Sequence, residues 1–259
     1  MDKYARKPVN YSMTDRHGAP AVTGFVREKK GDWEYYHLPE LTAGGIIHGF
    51  FTRKSPSSTL LGREGEAFLD TFSLNEVVVM HQEHGHEIQV IGNGERPACG
   101  DGILLYKRGI AGVIKTADCL CAILVDPRFP MAAIVHAGWR GTLQRITSRA
   151  VDMMTERGAA KQRMIALMGP SIRSCCYVVG GEVREAYLSE GFPESIFSER
   201  NGSLYLDLGK ANALLLTDAG IETIHDTGLC TCCTGDDFAS YRKGARNARQ
   251  VNFVAIRGR

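Results

Sequence analysis

The chain has 259 residues, 44% of them hydrophobic and 23% charged, which excludes general disorder and suffices for one large domain with its own core. Thirty-one basic against 29 acidic side chains leave a net charge of +2 with no Lys/Arg-rich run, so no nucleic-acid partner is expected. No apolar run approaches the ~20 residues of a membrane span, and the polar start Met1-Asp2-Lys3-Tyr4-Ala5-Arg6-Lys7 lacks a signal-peptide core, so a cytoplasmic protein without a membrane partner is expected.

The first ~40 residues are polar and turn-rich, with no clear periodicity. The first strand is predicted at Ile46–Phe51, followed by a Ser/Pro loop from Arg53 to Ser58 and a short helix over Glu64–Phe72. Val77–Met80 and Ile88–Ile91 read as strands on either side of a histidine cluster. Gly109–Ile114, Leu120–Val125 and Ala132–Val135 are short apolar or β-branched runs separated by turn signals and predict three more. After Gly138 and Gly141, Leu143, Ile146, Ala150, Val151 and Met154 recur at helical spacing until Gly158 closes the helix. Met164–Met168 and Val251–Ile256 read as strands, and Glu182–Ser189 and Leu208–Ala219 as helices. Neighbouring strands without intervening helices predict mixed sheets and an α+β fold. Composition is even from Gly45 to Arg259, so a single domain over 46–259 is expected, with residues 1–45 as an extension packed on or flanking it.

Eight cysteines are present, but a chain this long does not need disulfide staples. Cys99, Cys119, Cys121, Cys175, Cys176, Cys230, Cys232 and Cys233 are read as thiols, most of them packing as small apolar groups. Cys175-Cys176 is expected to pack in this way, and Cys230-Thr231-Cys232-Cys233 with His225 nearby could bind a second metal, although its spacing matches no standard zinc finger.

Three segments carry candidate chemistry: His81-Gln82-Glu83-His84-Gly85-His86, Thr116-Ala117-Asp118-Cys119 and His136-Ala137-Gly138-Trp139-Arg140-Gly141. Spacing alone does not separate a ligand histidine from a hydrogen-bonded one. In the third segment a strand meets a glycine-flanked turn and a helix start. Unpaired helix N–H groups and the Arg140 fork suit an anion there; equally, Trp139 could anchor the core and Arg140 pair with a carboxylate.

Several motifs together resemble one family. They are Thr116-Ala117-Asp118-Cys119-Leu120, the His136–Gly141 segment, Gly169-Pro170-Ser171-Ile172 with Tyr177-Val178-Val179-Gly180, and Phe238-Ala239-Ser240-Tyr241-Arg242. Gln82-Glu83-His84-Gly85 and Phe51-Thr52-Arg53 add to the pattern, which resembles the YfiH-like laccase-domain, or polyphenol oxidase, family from about Ile46 to the end. The resemblance implies a single-domain α/β/β/α layered sandwich with mixed sheets, similar to the catalytic domain of the cytotoxic necrotizing toxins. It implies one zinc held by His84, Cys119 and His136, and purine nucleoside chemistry: phosphorolysis of adenosine, inosine, guanosine or methylthioadenosine, and adenosine deamination. The older label of the family is a copper-dependent polyphenol oxidase.

The residue chemistry is compatible with that metal. Two imidazoles and a thiolate suit Zn²⁺ and leave a fourth position open, although Cu²⁺ outcompetes zinc on affinity at such a set. Arg53, Arg140 and the helix end after Gly141 are the candidates for binding phosphate. Asp118 could orient His136, serve as an acid–base group, or cap a turn. Three other readings stay open: a laccase-like copper oxidase, a Cys119 nucleophile with His136 as base in an amide hydrolase acting on cell-wall precursors, and an inactive zinc-containing binding module. Lys54-Ser55-Pro56-Ser57 stands where the family usually has Gly-Gly-x-Ser, the stretch between Ser58 and Glu76 is short, and Ala239 and Ala248 replace an aromatic residue and a glycine. The first two departures bear on the wall near Arg53, not on the three candidate ligands.

Overall fold

The computed structural model describes residues 24–56, 60, 62–92 and 97–258. The start of the chain at 1–23 and the loop residues Ser57 and Ser58, on which some expectations fall, lie outside the described residues. In chain order the elements are β1 (Val26–Lys30), β2 (Trp33–His37), α1 (Pro39–Ala43), β3 (Ile46–Phe51), α2 (Arg63–Phe72), β4 (Glu76–Val79), β5 (Ile88–Ile91) and β6 (Gly102–Leu105). Next come β7 (Ile110–Thr116), β8 (Leu120–Asp126), β9 (Met131–Ala137), α3 (Trp139–Leu143), α4 (Ile146–Glu156), β10 (Ile165–Met168) and β11 (Val178–Val179). The chain closes with α5 (Gly181–Ser189), β12 (Phe197–Arg200), β13 (Ser203–Leu206), α6 (Leu208–Asp218), β14 (Thr223–Asp226) and β15 (Gln250–Ile256).

Two six-stranded sheets form the centre, in the orders β1-β2-β3-β15-β7-β4 and β14-β10-β8-β9-β6-β5. Both are mixed: β4–β7, β5–β6 and β10–β14 pair parallel, and their other neighbours pair antiparallel. Strand alternation explains how the sheets stack. Cys121, Ile123 and Val125 of β8 face the layer between the sheets with Ile134 of β9, Ile114 of β7 and Val254 of β15. The intervening Leu120, Ala122 and Leu124 face outward onto Ala150, Val151 and Met154 of α4 and Leu215 of α6. On the opposite surface, Phe51, Val113 and Phe253 meet Phe68 and Phe72 of α2. The layers therefore run α/β/β/α, as expected. A three-stranded sheet, β11-β13-β12, flanks them.

Strand β1 carries no burial signal, whereas β2 and β6, also outside the predicted strands, are largely buried. All five residues of β1 are exposed, and Val-Arg-Glu-Lys-Lys has no apolar alternation to read. Residues 26–37 nevertheless extend the first sheet. The helix predicted as one piece after Gly138 is two. Arg145 breaks it with a left-handed backbone (φ 60°), while its guanidinium bonds the Glu190 carbonyl at 2.6 Å and lies 5.3 Å from the Phe192 ring centre. Among the described residues no helix is long and apolar enough to cross a membrane.

Phe253 sits where the outer layer is densest, with ring centres of Phe51, Phe68 and Phe72 at 5.3, 5.0 and 4.8 Å. Truncating it removes a large packed surface and leaves a cavity. Phe253→Ala is expected to lower unfolding free energy by ~3–5 kcal/mol, read from urea denaturation.

Candidate active site

Strand ends carry the candidate ligands to one point. His136 is the penultimate residue of β9 and pairs across the ladder with Cys121 of β8, so Cys119, just ahead of β8, lies beside it. His84 belongs to the loop after β4. Gln82 fixes that loop to the neighbouring strand: its amide donates to the Lys115 carbonyl and accepts from the Lys115 N–H, both at 2.9 Å. One ligand atom from each of His84, Cys119 and His136 lies within 4.8 Å of the other two. The His84 and His136 rings meet edge to face, 4.8 Å between centres.

Asp101, just ahead of β6, holds this arrangement. Its carboxylate accepts the Glu83, His84 and Gly85 amides at 3.2, 3.0 and 2.7 Å and bonds His136 Nδ1 at 2.8 Å. That leaves His136 Nε2 to face Cys119. The amide bonds also offset the strain of His84, which has φ 60° without being glycine. Sequence reasoning missed Asp101, whose only local sign is a carboxylate between two glycines. The group that orients His136 is therefore Asp101, not Asp118. Asp118 has φ 83°, and its carboxylate accepts from the Thr231 hydroxyl at 2.7 Å and the Arg242 N–H at 2.8 Å. It ties the loop ahead of β8 to the loop after β14.

Electrostatics prepare a charged pair. Burial opposes ionisation of Cys119, but His136 and then His84 outweigh it and draw the thiol down to about 6. Burial likewise opposes a charge on His136, yet Cys119 and Asp101 raise it to about 9. Burial also works against the Asp101 carboxylate, and His136 with the loop amides holds it below the usual carboxylate range. Without a metal, the site at neutral pH holds a thiolate against an imidazolium.

His84, Cys119 and His136 line a cleft of ≈ 620 Å³, within the range of small-molecule sites, with Asp101 buried behind them. Trp139, Tyr177 and Tyr241 supply aromatic faces, and Lys115, Arg140, Arg242 and Arg249 supply positive charge. Arg140 lies 4.3 Å from the Trp139 ring centre and Arg242 5.3 Å from that of Tyr177. The structure thus brings together His84, Asp118, Cys119, His136 and Arg140. Two expected anion groups are not among the lining residues. Arg53 is exposed, with its backbone N–H donated to the Asp237 carbonyl. Gly141 serves packing: a Cβ there would come within 2.9 Å of the Gly85 carbonyl oxygen and 3.1 Å of that of His136. The helix end expected to meet an anion belongs to the five-residue α3. Gly138 has a similar packing role, since its Cβ would stand 3.0 Å from the Cys119 sulfur. Lys115 and Arg249 are cleft groups outside the quoted motifs, and Arg242 and Gln82 stand in those motifs without a role assigned to them.

Known proteins share this arrangement of chain. A purine nucleoside phosphorylase from Deinococcus radiodurans is 36% identical over 176 residues, 67% of each chain. Adenosine deaminase RL5, from an unknown prokaryotic organism, is 34% identical over 185 residues, 66% of this chain and 71% of that one. The crystal structure of YlmD from Geobacillus stearothermophilus superposes with a TM-score of 0.78 at 26% identity, over 91% of this chain and 99% of that one. Residues 63–257 match the family described as multi-copper polyphenol oxidoreductase laccase, and the chain belongs to that laccase-domain family.

Proposed function

We propose that this cleft is the active site of a zinc-dependent purine nucleoside enzyme, which cleaves the nucleoside with phosphate and deaminates adenosine. The observation that carries the reading is an open set of two imidazoles and one thiolate in a cleft that also presents aromatic faces and four cationic side chains. The donor chemistry fits a single zinc: soft and borderline ligands, three in number, with His136 oriented by a carboxylate as zinc-bound imidazoles usually are. His84, Cys119 and His136 are the residues that would hold it; Cu²⁺ suits the same donors on affinity. Bound zinc supplies a Lewis acid and a water of lowered pKa. The names of the two relatives support the substrate class.

The protein's own groups do the rest. Arg140, with Arg242 and Arg249, binds phosphate, since guanidinium forks match its oxygens. Tyr177, Tyr241 and Trp139 offer faces for a purine ring. In phosphorolysis a phosphate oxygen forms the bond to C1′ as the C1′–N9 bond breaks and the leaving base takes up a proton. In deamination, water replaces the amino group at C6 and ammonia departs. Asp118 has both oxygens engaged by Thr231 and Arg242, which favours a positioning role over acid–base work. Balanced overall charge leaves anion binding to these placed groups.

One observation favours a second reading. Cys119, His136 and Asp101 also form the sequence of contacts of a nucleophile, a base and its orienting carboxylate, which would suit an amide hydrolase. The same sulfur cannot hold a metal and serve as a free nucleophile at once.

Protein purified without added metal is to be incubated with adenosine or inosine, with and without phosphate, while free base and ammonia are followed. Phosphate-dependent base release, ammonia from adenosine, and about one zinc lost on Cys119→Ser are expected. Full activity in metal-free protein would sink the zinc reading, and neither product from zinc-replete protein would leave a binding module. Asp101→Asn is expected to weaken metal binding by ~10–100-fold in a competition titration, with unchanged far-UV circular dichroism. Affinity equal to that of the parent would remove Asp101 from its orienting role.

Metal binding should also release protons. His136 is protonated below about 9 and must lose its proton to ligate, whereas Cys119 is ionised above about 6. Between these values metal competes with the His136 proton, so affinity weakens as pH falls, and more steeply below about 6. Calorimetry at pH ~7.5 in buffers of different ionisation enthalpy is expected to show at least one proton released per ion. Heats independent of the buffer would refute the charged pair.

A further inference from the structure

The loops after β10 and β14 bring four more thiols together, at positions read from sequence as apolar packing and as a cysteine run that could bind a second metal without matching a standard finger. Cys175, Cys176, Cys230 and Cys233 lie with all four sulfurs within 4.8 Å of one another, and Cys175 and Cys233 are 3.5 Å apart. The parallel β10–β14 pairing explains the meeting. It continues past the strands through Ser171 N–H to the Leu229 carbonyl at 3.2 Å and Thr231 N–H to the Ser171 carbonyl at 3.0 Å. Two chain segments more than fifty residues apart therefore run side by side and turn together.

We propose that these four cysteines form a second, structural zinc site. At Zn–S ≈ 2.3 Å, tetrahedral geometry separates sulfurs by about 3.8 Å, which the observed spread brackets. An all-thiolate set of four is soft and closed, so it selects zinc and leaves no position for substrate. An iron–sulfur cluster places several inorganic atoms between its cysteines and demands a wider frame. Cys230 and Cys233 are the two ends of a Cys-x-x-Cys turn closed by Thr234 N–H on the Cys230 carbonyl at 3.0 Å. Backbone amides of Arg173, Cys232 and Cys233 point at the buried Cys230 sulfur, as amides do around metal thiolates. Cationic side chains hold the same loops: Arg200 bonds the Ser174 carbonyl, and Lys243 Nζ bonds that of Gly235 at 3.4 Å.

The site is separate from the His84–Cys119–His136 set, but it braces the cleft wall. Ile172 and Tyr177 lie on one loop, and Thr231, the partner of Asp118, on the other. Closing four thiolates on one ion locks the two loops to each other and so sets the positions of Tyr177 and Arg242 through Asp118.

The test uses the full chain carrying His84→Ala and Cys119→Ser, expressed in zinc-containing medium and purified under reductant without chelator. About one zinc per chain is expected, together with four thiols that react with a thiol reagent only after a strong chelator is added. Cobalt loaded into the same protein is expected to give tetrahedral visible bands and intense thiolate-to-cobalt charge transfer. Adding Cys233→Ser is expected to weaken that charge transfer and release the zinc. Because the cobalt spectrum reads the double variant itself, misfolding of a further cysteine variant does not decide the matter. A folded double variant with no zinc and freely reactive thiols overturns the proposal, as does a disulfide among these cysteines that persists under reductant.

Discussion

The buried contact between Asp101 and His136 governs the geometry of the whole site. Asp101 leads directly into β6 and His136 lies in β9 of the second sheet, while the Glu83–Gly85 amides held by the same carboxylate follow a strand of the first. One side chain thereby joins the ends of both sheets and sets the separation of two imidazoles. A carboxylate shared among three amides and an imidazole is well matched in charge and hydrogen-bonding capacity, so its burial is satisfied rather than costly. The left-handed turn at His84, the proximity of Cys119 and the elevated basicity of His136 all follow from that anchor.

Most of the central layers were legible in the sequence because strands buried on both faces read as short continuous apolar runs. Leu120 to Val125 and Val251 to Ile256 alternate between two hydrophobic layers, and each residue type fits both faces. Legibility is weakest where a strand has no buried face to mark it, although the buried β2 and β6 also fall outside the predicted strands. Val26 to Lys30 buries none of its residues and meets β2 through polar pairs such as Arg27–Glu34 and Glu28–Tyr35, and the mostly exposed β12 turns only Phe197 toward the core. The break at Arg145 was hidden for a related reason: the helical spacing of apolar residues continues across it, although the backbone does not.

The candidate site was legible in its residue types more than in its connections. His84, Cys119 and His136 entered through a resemblance of motifs, because spacings of 35 and 17 residues carry no metal signature by themselves. Asp101 carried no such mark, and its role depends on a strand pairing that no local pattern reveals. Arg53 illustrates the converse: a member of a shared motif lies outside the cleft lining, while Arg242, of another such motif, and Arg249 stand there. The cysteines divide in the same way. Cys121 behaves as a buried apolar group, whereas Cys175, Cys176, Cys230 and Cys233 are neighbours only once two parallel strands have paired.

The side chain of Gln82 has the same donor and acceptor as a peptide group, and it meets Lys115 as a peptide group would. It acts as a prosthetic rung of the ladder between β4 and β7. The backbone of the His84 loop is thereby released from the pleat before the hydrogen-bond pattern ends, free to curl toward Asp101 while Lys115 remains fully paired. Glutamate, nearly identical in shape, has no N–H to return to the Lys115 carbonyl and would leave this rung half made. The amide is thus a dimensional adapter between a regular sheet and an irregular loop.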